Sequence, residues 1–155
     1  MLLRELVEVS TQVSATSKRT AKLALISALL KRAVPAEVPV AVAYLSGELR
    51  QRKTNVGYAT ILAATSSSVA EASTLTLLDV DDAFERITNV KAGTGSSRER
   101  ERLLRELLAQ ATDAERDFIT RLVVGELRQG ALEGIMLDAV ARAAEIPLAE
   151  IRHAT

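Results

Sequence analysis

The chain has 155 residues, of which 48% are apolar and 26% charged, the make-up of one ordinary core-forming domain. Twenty basic residues balance twenty acidic ones, which excludes a strongly basic arm or an acidic tail, so any anion-binding surface must be a local patch. There is no Cys, no Trp and a single His, His153, which excludes disulfides, thiolate nucleophiles, Cys zinc sites, His-based triads and multi-His metal sites.

With two Tyr and two Phe, an aromatic platform for single strands is not expected. No apolar run approaches the ~20 residues of a membrane span. The start MLLRELVEVS is charged within five residues, unlike a signal peptide, so a cytoplasmic location is expected.

In chain order, apolar spacing predicts helices at 2–12, 17–33, 35–48, 79–88, 97–110, 113–128, 132–144 and from 147 onward. Leu25, Ile26, Leu29, Leu30 and Ala33 form one helical stripe, and Leu103, Leu104, Leu107, Leu108 and Ala111 another. Ser96 with Glu99, and Thr112 with Glu115, have capping-box spacing, while Pro35 and Pro147 suit first turns. The Ser-, Thr- and Ala-rich stretch 62–75 reads as a flexible connector. The helix opened by Pro147 stops after about two turns, as in a piece of a longer protein.

Shifted by 78 residues, the chain aligns with itself without a gap. Positions 25–51 share 11 identities with 103–129, and GELRQ at 47–51 recurs at 125–129. Upstream, Leu6 meets Phe84 and Val9 meets Ile87. Helical periodicity alone would not repeat a pentapeptide in register. The expectation is an all-α fold in two pseudo-symmetric units, about 1–61 and 76–155, joined by the connector into one domain. Two copies do not make a long solenoid.

Each unit has a hydroxyl-rich, basic loop before its second helix. In the second unit, Gly93 and Gly95 let backbone approach a ligand closely, and the helix start adds free N–H groups. Ser96 and Ser97 supply hydroxyls, and Lys91, Arg98 and Arg100 supply charge, together a candidate phosphate cradle. It is not a Walker A loop, for no Gly-Lys-Ser/Thr follows. The first unit offers Ser14, Thr16, Ser17, Lys18 and Arg19, without glycine.

Arg50 and Arg128 sit near helix C-termini, where a phosphate contact and a dipole or salt-bridge role are equally open. Arg50-Gln51-Arg52-Lys53 is the densest basic stretch without an interleaved acid. Gly47 and Gly125 read as close helix packing, and Glu48 and Glu126 as ion-pair partners. Asp79, Asp81 and Asp82 crowd a helix start, where acids suit the dipole, and match no EF-hand loop. Two cradles on a pseudo-two-fold scaffold suit a ligand with repeated phosphates, such as duplex nucleic acid, if charge segregates by face.

The segments VDDAFERI at 80–87, GTGS at 93–96, FITRLVVGELRQG at 118–130 and GIMLDAVA at 134–141 resemble the N-terminal DNA-binding domain of ATP-dependent DNA ligases. The resemblance covers nearly the whole chain, is strongest over 77–144 and is closest to actinobacterial, including mycobacterial, ligases. It implies an all-α domain of two pseudo-symmetric halves that binds duplex DNA on both sides of a nick, across the minor groove, mainly through the backbone. Carried over by position, the DNA-binding residues are Gly93, Gly95, Ser96, Ser97, Arg98, Arg128, Gln129 and Gly130. Ser17, Lys18, Arg19, Arg50 and Arg52 are their first-unit counterparts.

The family's catalytic motif, a Lys followed two residues later by Asp-Gly, is absent. The nucleotidyltransferase and OB-fold domains would follow Thr155. The resemblance therefore implies no catalytic residue, cofactor or metal in this piece, with ATP and Mg²⁺ belonging to the full-length ligase of replication, repair and recombination. The partners implied are nicked duplex DNA and the ligase's own catalytic domains, in the nucleoid. Two other readings stay open: a helical protein–protein interaction module, with an apolar groove and weak salt dependence, and a hydrolase using the Asp cluster.

Overall fold

A computed structural model of the chain describes residues 1–51, 54, 56–65, 69–127 and 132–144. Among them are eight helices and no strand: α1 (Leu3–Ala15), α2 (Arg19–Arg32), α3 (Val38–Leu45), α4 (Tyr58–Ala64), α5 (Leu77–Thr88), α6 (Ser96–Ala109), α7 (Asp113–Val124) and α8 (Leu132–Ala144). Each long helix buries one stripe. In α1 it is Leu3, Leu6, Val9 and Val13; in α5, Leu77, Val80, Asp81, Phe84 and Ile87. Such three- and four-residue spacing turns one face to the core and leaves the charged face to water.

Helix starts follow local chemistry. Thr112 and Glu115 form the expected capping box on α7, with Thr112 N–H on Glu115 Oε1 at 2.8 Å. Thr76 and Asp79 form a second on α5, so Asp79 serves the helix start as expected. Ser96 does not cap: it is the first residue of α6, and Gly95 holds the N-cap position in the left-handed region. Pro35 lies in a turn before α3, whose first-turn proline is Pro39. The connector at 62–75 is helical at its start, because α4 runs from Tyr58 to Ala64. The helix expected from 147 lies outside the described residues.

Helix ends show why the predicted spans to 48 and 128 are too long. Past α3, Glu48 N–H bonds Ala43 C=O at 2.9 Å and Gly47 N–H bonds Tyr44 C=O at 3.0 Å. Past α7, Glu126 N–H bonds Arg121 C=O at 3.0 Å and Gly125 N–H bonds Leu122 C=O at 3.3 Å. These are the same Schellman turns, 78 residues apart, each with its glycine at φ near +80°. The repeated glycine thus serves as a helix stop in both copies.

The buried carboxylates Glu37 and Glu115, also 78 apart, repeat too. Each accepts the N–H three residues before it, from Val34 at 2.9 Å and from Thr112 at 2.8 Å. Upstream the offset changes. Leu3 N–H bonds Leu75 C=O at 2.9 Å and Leu77 N–H bonds Met1 C=O at 3.1 Å, a reciprocal pair around the Leu2–Thr76 bridge. Here the offset is 74, so Leu6 and Val9 do not match Phe84 and Ile87. The four extra residues sit in the loop 89–95, which is longer than its counterpart 16–18.

The two sets of helices interleave. α1 packs on α2 and on α7, while α5 packs on α6 and on α3. α2 lies along α8, and α6 along α4. Exchanging the first four helices for the last four maps each of these contacts onto another. One continuous core results, including Leu6, Ile26, Leu29, Tyr44, Phe84, Leu104 and Leu108.

Glu37 is 4% exposed, and its carboxylate also pairs with the α-amino group of Met1. Burial pushes its pKa up, but the bonds from Met1 and Val34 outweigh that and hold it below the usual carboxylate value. A lowered folded pKa gives stability that is present above the unfolded value of about 4.3 and is lost as pH falls through the folded one. Urea midpoints of wild type are therefore expected to fall in that acid range, and those of Glu37→Gln to fall less steeply. Parallel acid limbs would remove Glu37 from the account.

Candidate nucleic-acid interface

The loop 89–95 is built to expose backbone. It leaves α5 at Asn89, and its base is tied down by Arg100, which donates from Nη2 to Val90 C=O at 3.4 Å. Gly93 at φ +142° and Gly95 at φ +84° occupy conformations that L side chains rarely adopt. A Cβ at either would meet nothing within 4 Å, so the glycines serve conformation and leave open space beside the loop. Ser96 N–H bonds Gly93 C=O at 3.2 Å, closing the turn into α6.

α5 and α7 start under a threonine cap, whereas α6 starts without a side-chain cap. With Ser96 N–H on Gly93 C=O and Glu99 N–H on Gly95 C=O, the N–H groups of Ser97 and Arg98 and the positive end of the dipole are left at this exposed start. Along α6, Arg102 pairs with Glu99 and Glu106, and Arg105 with Glu101. The hydrogen bond from Arg102, with its charge, holds the Glu99 carboxyl below the usual carboxylate value. The first-turn acid is thus occupied by Arg102. Arg98 is exposed and has no ion-pair partner among the described residues. Gly93, Gly95, Ser96, Ser97 and Arg98 come together at one exposed, cationic helix start, and Lys91 lies exposed in the same loop.

The first-unit counterpart differs in shape. The loop 16–18 has no positive-φ residue, Thr16 and Lys18 are extended, and Lys18 N–H bonds Thr16 Oγ1 at 3.3 Å. Ser17 and Lys18 are exposed. Arg19 lies in the first turn of α2 and pairs with Asp138 of α8. Three residues between helices leave no room for the concave turn made by seven.

Arg50 is also engaged. Its Nε donates to Asp81 Oδ1 at 2.9 Å and its Nη2 to Asp81 Oδ2 at 3.1 Å and Glu85 Oε1 at 2.5 Å. Gln51 Nε2 donates to Asp81 Oδ1 and to Glu85 Oε1, each at 2.9 Å. The salt-bridge alternative for Arg50 is realised, with acids of α5 rather than with Glu48, which has no ion pair among the described residues. Asp81 is buried, a state its neighbours in the sequence do not signal. Arg52, Arg128, Gln129 and Gly130 lie outside the described residues.

Among the described residues no three His, Cys, Asp or Glu side chains converge as a metal-binding group. Asp79 serves a helix cap and Asp81 a salt bridge, so both have structural tasks. No described helix is long and apolar enough to cross a membrane.

Two interleaved helical halves with one glycine-shaped, cationic helix start make up an all-α module. Residues 62–141 match the family model described as DNA ligase N terminus, and the chain belongs to that family. It is 46% identical over 154 residues to a probable DNA ligase of Mycolicibacterium gilvum and 46% identical over 154 residues to one of Saccharopolyspora erythraea. It is 48% identical over 156 residues to another from an Anaeromyxobacter species. Each match covers 99% of this chain and 30% of the relative, so the chain spans under a third of the curated relatives it matches.

Proposed function

We propose that this domain grips duplex DNA through backbone phosphates and holds a nick in place for the catalytic part of an ATP-dependent DNA ligase. The observation that carries this reading is the uncapped start of α6, opened by Gly93 and Gly95 and flanked by Arg98, which has no ion pair among the described residues, in a chain of the ligase N-terminus family. Phosphates suit such a start because its N–H groups and dipole are preset for an anion and cost no reorganisation on contact. Contacts of this kind set orientation rather than read sequence. Arg128, Gln129 and Gly130 extend the proposed contact surface on the strength of the resemblance.

No Lys of this chain is followed two positions on by Asp-Gly, so its residues do not fit the family's nucleotide-attachment site. ATP and Mg²⁺ chemistry is assigned to the rest of the ligase, together with the domain's work in DNA repair, replication and recombination. The domain's own contribution is positioning, which raises reaction rates by fixing the geometry of the reacting ends.

Fluorescence anisotropy with nicked duplex DNA, titrated over salt, tests this. Binding should weaken linearly in log salt, and Arg98→Ala should reduce the slope by about 0.9, the share of one phosphate. A Gly93→Ala/Gly95→Ala double variant should cost about thirtyfold or more in affinity, because holding two left-handed positions in the contacting geometry would strain each by ~1–2 kcal/mol. Unchanged binding in both variants would remove the α6 start from the interface.

One observation favours the protein-interaction alternative. Tyr58 and Leu62, one turn apart on α4, are 64% and 54% exposed. That reading predicts a partner complex that depends weakly on salt and is lost on Leu62→Asp.

A further inference from the structure

GELRQ occurs twice, and Arg128 and Gln129 of the second copy lie outside the described residues. The first ends in a four-residue cluster: Arg50 and Gln51 hold Asp81 and Glu85, which lie one turn apart on α5. By the offset of 74 that relates the starts of α1 and α5, the first-half positions matching Asp81 and Glu85 are Val7 and Thr11; by the offset of 78 they are Leu3 and Val7. Under neither offset is the matching first-half position acidic. Among the described residues the clasp is made by the first copy with acids of α5.

Its position ties it to the candidate interface. Glu85 is the residue whose carbonyl accepts the N–H of Asn89, the cap that ends α5 and begins the loop 89–95. The clasp therefore grips α5 one turn before that loop, from the end of α3. The Arg50 guanidinium has Nε and Nη2 committed to carboxylates, and the Arg50, Asp81 and Glu85 charges sum to minus one, which disfavours a phosphate there.

We infer that Arg50 is a positioning residue that holds α5, and with it the loop 89–95 and the α6 start, in the DNA-contacting geometry. This rests on the duplex-DNA reading above and gives the first copy of the motif the task of bracing the contact surface.

The sign of one variant separates bracing from contact. Asp81→Asn weakens the clasp while removing a negative charge. If Arg50 braces, Asp81→Asn and Arg50→Ala both weaken binding of nicked duplex by about fivefold or more, with the salt slope unchanged. If Arg50 contacts phosphate, Asp81→Asn tightens binding and Arg50→Ala lowers the slope by about 0.9, which overturns the proposal. Hydrogen exchange without DNA supplies an independent readout. Amides of 89–97 should exchange faster in both variants, while those of α1 and α2 keep wild-type rates. Unchanged loop exchange, or a rise spread over every helix, overturns bracing. Wild type that fails to bind nicked duplex at low salt would refute the DNA reading, and the exchange result would still decide the role of the clasp.

Discussion

Cut between Thr65 and Val69, the chain is expected to yield two fragments that do not fold alone and that recover helix when mixed. The reason is the interleaving. Within the first half, α1 meets α2 and α3, but α2 lies along α8, α4 along α6, and α3 against α5. An isolated first half would expose Ile26, Leu29, Tyr44 and Ile61, all 2% exposed or less in the whole domain. A chain of about 60 residues is marginal even with a core of its own, and this one would lose part of its core. Circular dichroism of fragments 1–65 and 69–155, separate and mixed one to one, checks it. A cooperative melt from the first fragment alone would show self-sufficient halves placed side by side.

Phe84→Ala is expected to cost about 3–5 kcal/mol of unfolding free energy, a large share of the roughly 5–15 kcal/mol that holds a typical domain. Phe84 is fully buried on α5, the helix that touches both α6 of its own half and α3 of the other. Removing the ring leaves a cavity in the core, and its lost dispersion contacts add to the lost hydrophobic transfer. Urea unfolding would report this as a lower midpoint at an unchanged slope. A loss below about 1 kcal/mol would mean that the site collapses around the smaller side chain.

Much of the local structure was legible in the sequence because its causes are local. The stripes of α1, α2, α6 and α7 follow from three- and four-residue spacing, and the Thr112–Glu115 cap follows from side chains that reach only their own first turn. Where the reading slipped, a nearby residue had more conformational freedom than periodicity could register. Gly47 and Gly125 end α3 and α7 although apolar spacing runs on, and Gly95 displaces Ser96 from the cap by taking a left-handed φ. α4 was hidden because its small and hydroxyl residues, Ala59, Thr60, Ala63 and Ala64, run into a Ser-rich stretch. Packing against α6 makes it a helix.

The candidate site divides along the same line. Its glycines, serines and arginine at 93–98 are contiguous, so their chemistry could be read directly. The fate of Arg50 could not. Its partners lie 31 and 35 residues away, and nothing in GELRQ distinguishes a braced arginine from a free one. By itself the sequence determined the helical class, the repeated motif, the missing Lys-x-Asp-Gly and the family resemblance, all carried by neighbours or by self-comparison. Only the tertiary structure decided that the halves interleave, that the offset slips from 78 to 74 through a longer loop, and that one copy of the repeated arginine is spent on an internal clasp. Those outcomes depend on which helices meet in space, and local sequence does not encode which distant residues a helix will meet.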